Sequence, residues 1–391
     1  MIQYQEALDL IKSNAHILNS EKVDLSLANK RILAEDVYYD QDIPPFDKSA
    51  MDGYACRNED IGNELRIIET IYAGQQPLHP IRKNECSKIM TGAVIPSGAD
   101  CVFISEVAKQ TADDRVICTS QKTLPNICYE GEDVKKGDLA LPVHTLISSK
   151  HIPVLAGAGV HQPMVFCQPG ISVFATGNEL VEPGAKPLPH QIRNSNSYQM
   201  MAQSDNMGIK AIYQGIIKDD EKETEQKILK ALTESDLVIL SGGVSMGDSD
   251  YIPDILKKIE FDIILSESAI QPGKPIIFAK KEDQYCFGLA GNPVSSFVQF
   301  ELYVKPFIYS MMGYEFTPPS NRAILSKNYY RKRVDRLKLI PAMLNEKNEA
   351  TLVEFHGSAH IAALQSANCL VEIPLGVSGI KKGDKVNVRP I

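Results

Sequence analysis

The sequence predicts a multidomain α/β protein, and three observations carry that expectation. Its 391 residues suggest about two to four domains. Between residues 171 and 313, short β-branched runs alternate with helical stretches, which implies βαβ units and a largely parallel sheet covered on both faces. From about 319 onward the helical patterns thin out, and RAILS, RLKLIPAML, ATLVEF, NCLVEIP and DKVNVRPI read as a closing all-β domain.

Taken in order, residues 2–18 place Tyr4, Ala7, Leu8, Ile11, Ala15 and Leu18 at three- and four-residue steps, an amphipathic helix. The Pro-Pro of Asp42-Ile43-Pro44-Pro45-Phe46 must be extended or turning. From about 65 to 118, LRIIETIYA, SKIMTGAVI, DCVFISE and RVICTS predict a small β-rich domain. In the alternating region, ISVFATG, IKAIYQGII, DLVILSGG, PIIFAK and YCFGLAG read as strands. NSNSYQMMAQSDNMG, DEKETEQKILKALTES and YIPDILKKIE read as helices, and a last helix runs from Pro293 to about Met312, stopped by Gly313.

Composition narrows the function. With 49 Asp+Glu against 41 Lys+Arg the formal charge is −8, which argues against a nucleic-acid partner. No stretch approaches the roughly 20 apolar residues of a membrane span. The opening segment mixes acids and amides into its apolar positions, unlike a signal peptide. Eight cysteines with no CxxC pair favour reduced, mostly buried thiols in a cytoplasmic protein.

In an open parallel sheet, ligands bind beyond the carboxyl ends of the strands. Three glycine-bearing segments sit at such ends: Ala175-Thr176-Gly177-Asn178-Glu179-Leu180, Ser241-Gly242-Gly243-Val244-Ser245-Met246-Gly247-Asp248-Ser249-Asp250, and Gly288-Leu289-Ala290-Gly291-Asn292-Pro293. Glycines let backbone approach a ligand, and free N–H groups bind anions such as phosphate. One such segment alone is usually a tight turn; three at one end of one sheet favour an anion site. Acids punctuate the same regions (Glu179, Asp219, Asp248, Asp250), with Asp52 and Asp133 outside them. A Mg²⁺ ion needs only one or two carboxylates besides substrate phosphates, and solvated loop acids are the commoner explanation of any single one. His356 and His360 lack the Glu of a helical zinc motif, so a loop or surface role is favoured. Without a Walker A motif, a G-x-S-x-G elbow or GxGxxG, a P-loop kinase, a serine hydrolase and a generic dinucleotide enzyme are poorly supported.

Taken together, the motifs resemble one family, the molybdopterin molybdenumtransferases or MoeA family, which includes the C-terminal domain of gephyrin. The residues that carry the resemblance are Pro45–Ala55 (PFDKSAMDGYA), Ile89–Pro96 (IMTGAVIP), Gly131-Glu132-Asp133, Thr176–Leu180, Ser241–Tyr251, Pro272-Gly273-Lys274-Pro275 and Gly291-Asn292-Pro293, in the family's order. The resemblance implies four parts: an elongated dimerisation segment (1–42 plus 127–166), a β-rich domain (43–126), a molybdopterin-binding α/β domain (167–318) and a C-terminal β-barrel (319–391). It implies a homodimer, each site lying between the α/β domain of one subunit and the Ser49–Tyr54 region of the other, with other molybdenum cofactor biosynthesis proteins as further partners. The implied reaction takes adenylylated molybdopterin and molybdate, with Mg²⁺, to molybdenum cofactor and AMP. Carried over by position, Asp52, Thr91, Asp133, Asp219 and Asp250 match catalytic residues. Thr176, Gly177, Glu179, Ser241, Gly242, Gly243, Ser245, Lys274, Gly291, Asn292, Pro293 and Ser358 match the pterin-nucleotide site, and Glu179 and Asp250 the metal.

The chain also departs from the pattern. Cys128, Gln271 and Pro341 stand where the family usually has basic residues, and Glu267 where one is frequent. Asn178 replaces an Asp, and Ala290 a Pro. Charge-assisted contacts contribute roughly 1.5–3 kcal/mol each, so the eroded cations should weaken oxyanion binding. The leading expectation is therefore molybdate insertion, and the alternative is a scaffold that binds the pterin with weak or altered turnover.

Overall fold

The computed structural model describes residues 1–244 and 251–391. The chain divides into two compact units: Met1–Glu35 with His144–Ser148 and Pro163–Ile391, and Asp36–Val143 with Ser149–Gln162.

The first unit is organised by a six-stranded sheet: β1 (Ile171–Thr176), β2 (Ile212–Ile217), β3 (Leu237–Ser241), β4 (Asp262–Glu267), β5 (Pro275–Lys281) and β6 (Gln284–Leu289), in the order β2-β1-β3-β6-β5-β4. Every neighbouring pair is parallel except those made by β5, which alone runs against the rest. The side chains of β3 show why the sheet is covered on both faces. Leu237 and Ile239 enter one core with Met200 of helix α1 (Asn196–Asn206) and with Val294 and Val298 of α4 (Pro293–Gln299). Val238 and Leu240 enter the other, with Ile228 and Leu232 of α2 (Glu221–Leu232) and Ile252 and Leu256 of α3 (Ile252–Lys258). A strand with two buried faces loses the apolar–polar alternation and reads as one apolar run, which is how DLVILS reads.

The long terminal helix expected from Pro293 is realised in three pieces. After α4 the backbone takes a π-helical turn over Phe300–Val304 and then resumes as a helix over Lys305–Met311. The irregularity immediately precedes Pro306, whose ring cannot donate to the preceding turn. Gly313, at φ +69°, ends the helix as expected. At the other end of the chain the amphipathic pattern yields a shorter helix, Tyr4–Ser13, which buries Ala7, Leu8 and Ile11.

Five strands close the C-terminal barrel: Leu337–Leu344, Glu349–Leu352, Asn321–Leu325, Lys385–Pro390 and Cys369–Ile373, the last pairing back to the first. Its interior is filled by Leu325, Ile340, Ala342, Val371, Ile373 and Val388. The short strand Ile270–Gln271 joins the barrel beside Leu337 and Lys338.

The second unit holds another six-stranded sheet, ordered Cys101–Ile104, Gly53–Cys56, Glu85–Ile89, Glu64–Ile71, Arg115–Cys118 and Ala108–Ala112. Its second strand takes up the Gly-Tyr-Ala of the motif, so Asp52 immediately precedes a strand. All eight cysteines are free thiols and six are buried. Among the described residues no helix is long and apolar enough to cross a membrane.

Candidate active site

The glycine-bearing segments leave three adjacent strands, β1, β3 and β6, at their carboxyl ends. β1 is followed in sequence by β2 on one side of it, whereas β3 has β6 on its other side. The connections therefore diverge between β1 and β3, the crevice at which open α/β sheets bind ligands.

Close approach shapes the crevice. Gly242 sits at φ +102°, and a Cβ there would come 2.6 Å from the Thr176 carbonyl oxygen and 2.8 Å from Thr176 Oγ1. Only glycine fits both the angle and the space. The third loop lies against the same spot, since a Cβ on Gly291 would be 3.6 Å from the Gly242 Cα. Gly177, at φ +145°, is covered by the Glu179 carboxylate, which a Cβ there would meet at 2.5 Å. Glu179 itself is exposed.

Buried amides lock the loops together. Asn196, at the start of α1 and 8% exposed, donates from Nδ2 to Ser241 Oγ (2.7 Å) and to the Gly291 carbonyl (2.8 Å). Gln299, fully buried, accepts from the Ala290 N–H at 2.8 Å and donates to the Gly273 and Pro275 carbonyls at 2.9 and 2.6 Å. The Pro272–Pro275 segment is thereby tied to the third glycine loop. Asn292 donates to Ser358 Oγ at 3.0 Å, which brings the barrel loop to the same place.

The acidic corner lies beyond β1 and β2. Asn178 and Asp219 exchange hydrogen bonds, each backbone N–H donating to the other's side-chain oxygen at 3.2 Å. The Tyr251 hydroxyl is 3.2 Å from both Asp219 Oδ1 and the Lys218 carbonyl. Burial, with Asp219 and Asp220 adding to it, pushes this phenol up to about 12, so it stays a donor. Lys274 is committed: its ammonium pairs with Glu267 at 2.8 Å, and that hydrogen bond holds the Glu267 carboxyl below its ordinary value.

In the second unit, Asp52 Oδ1 accepts from both the N–H and the hydroxyl of Thr91, each at 2.7 Å. These two bonds, the backbone one first, lower the Asp52 carboxyl although it is exposed to water. Cys128 pairs across a two-residue ladder with Lys48. Its thiol is pushed up by burial and by Glu132.

Comparison with known proteins assigns this architecture. The profile of the MoeA N-terminal region (domain I and II) matches residues 2–159, that of a probable molybdopterin binding domain residues 172–310, and that of the MoeA C-terminal region (domain IV) residues 323–391. A Staphylococcus epidermidis protein named molybdopterin molybdenumtransferase is 36% identical over 397 residues, covering 99% of this chain and 95% of that one. The chain belongs to the MoeA family. A Staphylococcus aureus relative of the same name is 34% identical over 398 residues, covering 99% of this chain and 95% of its own. The crystal structure of the molybdopterin biosynthesis moeA protein from Pyrococcus horikoshii OT3 superposes with a TM-score of 0.85 at 29% identity, covering 100% of both chains.

Within this MoeA chain, the sequence-derived site residues fall into groups. Thr176, Gly177, Glu179, Asp219, Ser241, Gly242, Gly243, Gly291, Asn292, Pro293 and Ser358 belong to the strand-end crevice or the loops bonded to it. Lys274 follows Gly273, whose carbonyl Gln299 holds. Asp52 and Thr91 are joined directly in the second unit. Asp133 is exposed there, its N–H donating to the Ile43 carbonyl. Ser245, Asp248 and Asp250 lie outside the described residues. Sequence reasoning missed Asn196 and Gln299. Both lie in helical patterns where a polar residue reads as solvent-facing, and only the long-range partners of their amides reveal them.

Proposed function

We propose that this protein inserts molybdate into adenylylated molybdopterin and releases AMP, a step of molybdenum cofactor biosynthesis. The observation that carries this reading is the match to named molybdopterin molybdenumtransferases along nearly the whole chain.

The glycine crevice would cradle the phosphates through backbone N–H groups. Among the described residues no three His, Cys, Asp or Glu side chains cluster as a preformed metal cage. That fits a Mg²⁺ carried in largely by phosphate oxygens, which needs one or two carboxylates. Glu179 would be one and Asp250 the other. Bound there, the ion would polarise the phosphoanhydride as a Lewis acid. Asp219, held by Asn178 and Tyr251, would orient groups at the same corner. Asp52 and Thr91 would act from the partner subunit of a homodimer, with 1–42 and 127–166 as the dimerisation segment, and we place the reaction in the cytoplasm.

Purified protein supplied with adenylylated molybdopterin, Mg²⁺ and molybdate should release AMP and yield active cofactor. Substrate binding without AMP would instead support the scaffold reading, which the Glu267–Lys274 pair favours because it occupies a cation of the site. Sedimentation should show a dimer at micromolar concentration; a fully active monomer would remove the shared-site assignment.

A further inference from the structure

Asn196 does more than fasten two loops. A carbonyl oxygen only accepts, so the Asn196 atom facing Gly291 must be the NH₂ group, and the direction of both its hydrogen bonds is settled by chemistry. Ser241 Oγ, 2.7 Å from the same nitrogen, is then an acceptor toward Asn196. Its own proton points elsewhere, and no described residue accepts it. The Gly291–Asn292 peptide is trans, since the described cis bonds are Ile43–Pro44 and Gln271–Pro272. In a planar trans peptide the C=O and N–H point opposite ways. With the Gly291 carbonyl turned onto Asn196, the Asn292 N–H points away from Asn196.

We propose that Asn196 is a positioning residue that sets the donor polarity of the cradle, turning the Ser241 hydroxyl and the Asn292 N–H toward an anionic phosphate oxygen. The proposal rests on reading the crevice as a phosphate site and does not require turnover. Without the amide, no other described hydrogen bond keeps the Gly291 carbonyl from turning to the anion, or the Ser241 proton from bonding inward. A cradle of fixed size would then lose its sign. Burial strengthens the effect, because an anion meeting a carbonyl in a partly dry crevice has little water to screen it.

The test uses the full-length chain and AMP as the probe, with affinity measured by calorimetry for wild type, Asn196→Ala and Asn196→Asp. The carboxylate of Asn196→Asp keeps the volume but can only accept, so it should draw the Ser241 proton inward and repel the Gly291 carbonyl. Affinity should fall roughly tenfold in Asn196→Ala and up to about a hundredfold in Asn196→Asp, the range expected for losing one or two bonds to a charged group. Thermal melting is followed in parallel to separate folding from binding.

The deciding readout is pH, taken as the ratio to wild type at the same pH so that titration of AMP cancels. A buried Asp beside a carbonyl has a raised pKa. Its protonated form regains one donor, so the Asn196→Asp ratio should recover as the pH falls toward about 5, while the Asn196→Ala ratio stays flat. Equal losses with flat ratios in both variants would mean that Asn196 only holds structure, and would overturn the proposal; so would wild-type affinity in both. If Asn196→Asp does not fold, a cycle of Asn196→Ala with Ser241→Ala takes its place. Non-additive losses support the proposal and additive ones overturn it. Should AMP bind with this pattern while no AMP is released from the pterin nucleotide, the proposed reaction fails and the polarity assignment stands. AMP release without the pattern sinks the polarity assignment alone.

Discussion

Two parts of the α/β unit, the glycine crevice and the Lys274 segment, are built by different means although Gln299 ties them together. The crevice is fixed by sterics and buried amides. Gly242 leaves no room for a side chain, and Asn196 and Gln299 make their bonds away from water. The cation of the Lys274 segment is held only by an ion pair whose partners are 48% and 28% exposed. Backbone geometry that excludes every other residue cannot be tuned by a single charge change. An exposed ion pair can. The departures expected at Glu267 and Gln271 fall in the tunable part; those expected at Asn178 and Ala290 lie in the glycine loops but leave Gly177, Gly242, Gly243 and Gly291 in place.

The largest effect should come from breaking the fixed part. In Gly242→Ala the new Cβ must displace the Thr176 carbonyl oxygen, which it would otherwise meet at 2.6 Å. Overpacking costs about 1–3 kcal/mol, and a non-glycine residue at such a φ adds a similar strain. Melting should fall accordingly, and turnover should drop by about a hundredfold, as a misplacement on the order of 1 Å can cause. A variant that melts and turns over like wild type would end the distinction between a rigid crevice and a tunable rim.

Asp52 is an intermediate case, since its carboxylate is exposed yet held by two directed bonds from Thr91. Asp52→Asn keeps an acceptor and loses the charge. If the charge is used in the reaction, turnover should fall about 10–100-fold with little change in melting. The pH profile checks the same point. A carboxyl with a lowered folded pKa contributes its stabilisation above the unfolded value, about 3.9, and loses it as pH falls through the folded value. Wild-type turnover should therefore show no Asp52 limb above about pH 4. An acid limb near pH 6 that disappears in Asp52→Asn would mean a raised carboxyl and a different role.

Much of this contrast was legible in the sequence, and the reason is physical. Leu237–Ser241 reads as a strand because both faces are buried, and Gly242 stands out because glycine is the residue a left-handed close approach requires. The strand Asp262–Glu267 was not legible. It pairs antiparallel with β5 across a short connection, so no helix separates the two strands as the alternating pattern requires. Gly53–Cys56 was hidden for a different reason, since a four-residue run that opens on glycine has no visible period. Asn196 and Gln299 were invisible because their meaning lies in partners: Asn196 is 45 and 95 residues from Ser241 and Gly291. The departure at Glu267 and the retained Lys274 read as unrelated positions in the sequence; the ion pair makes them one feature.

The smallest effect tests the tunable part. Glu267→Gln removes the counter-charge that Lys274 shares with the Met1 ammonium, 3.2 Å from Glu267 Oε1, and leaves the backbone alone. Exposed ion pairs contribute little to stability, so melting should hardly move. The released ammonium is then free for an oxyanion, and the molybdate concentration needed for half-maximal cofactor formation should fall severalfold at low ionic strength. The gain should fade as salt rises toward about 1 M, where charges are screened within about 3 Å. Lys274→Ala should shift the requirement the other way. The sign with pH follows from the lowered Glu267 carboxyl: the pair's contribution is complete above the unfolded carboxyl value and disappears only as pH falls through the lower folded one. At neutral pH the wild type therefore keeps Lys274 paired unless the oxyanion itself competes. If Glu267→Gln leaves the molybdate requirement unchanged at low salt while Lys274→Ala raises it, the oxyanion already draws Lys274 from Glu267, and the eroded cations are no handicap. If neither variant moves it, Lys274 takes no part in binding the oxyanion, and the cation that does must be sought among the others of the chain.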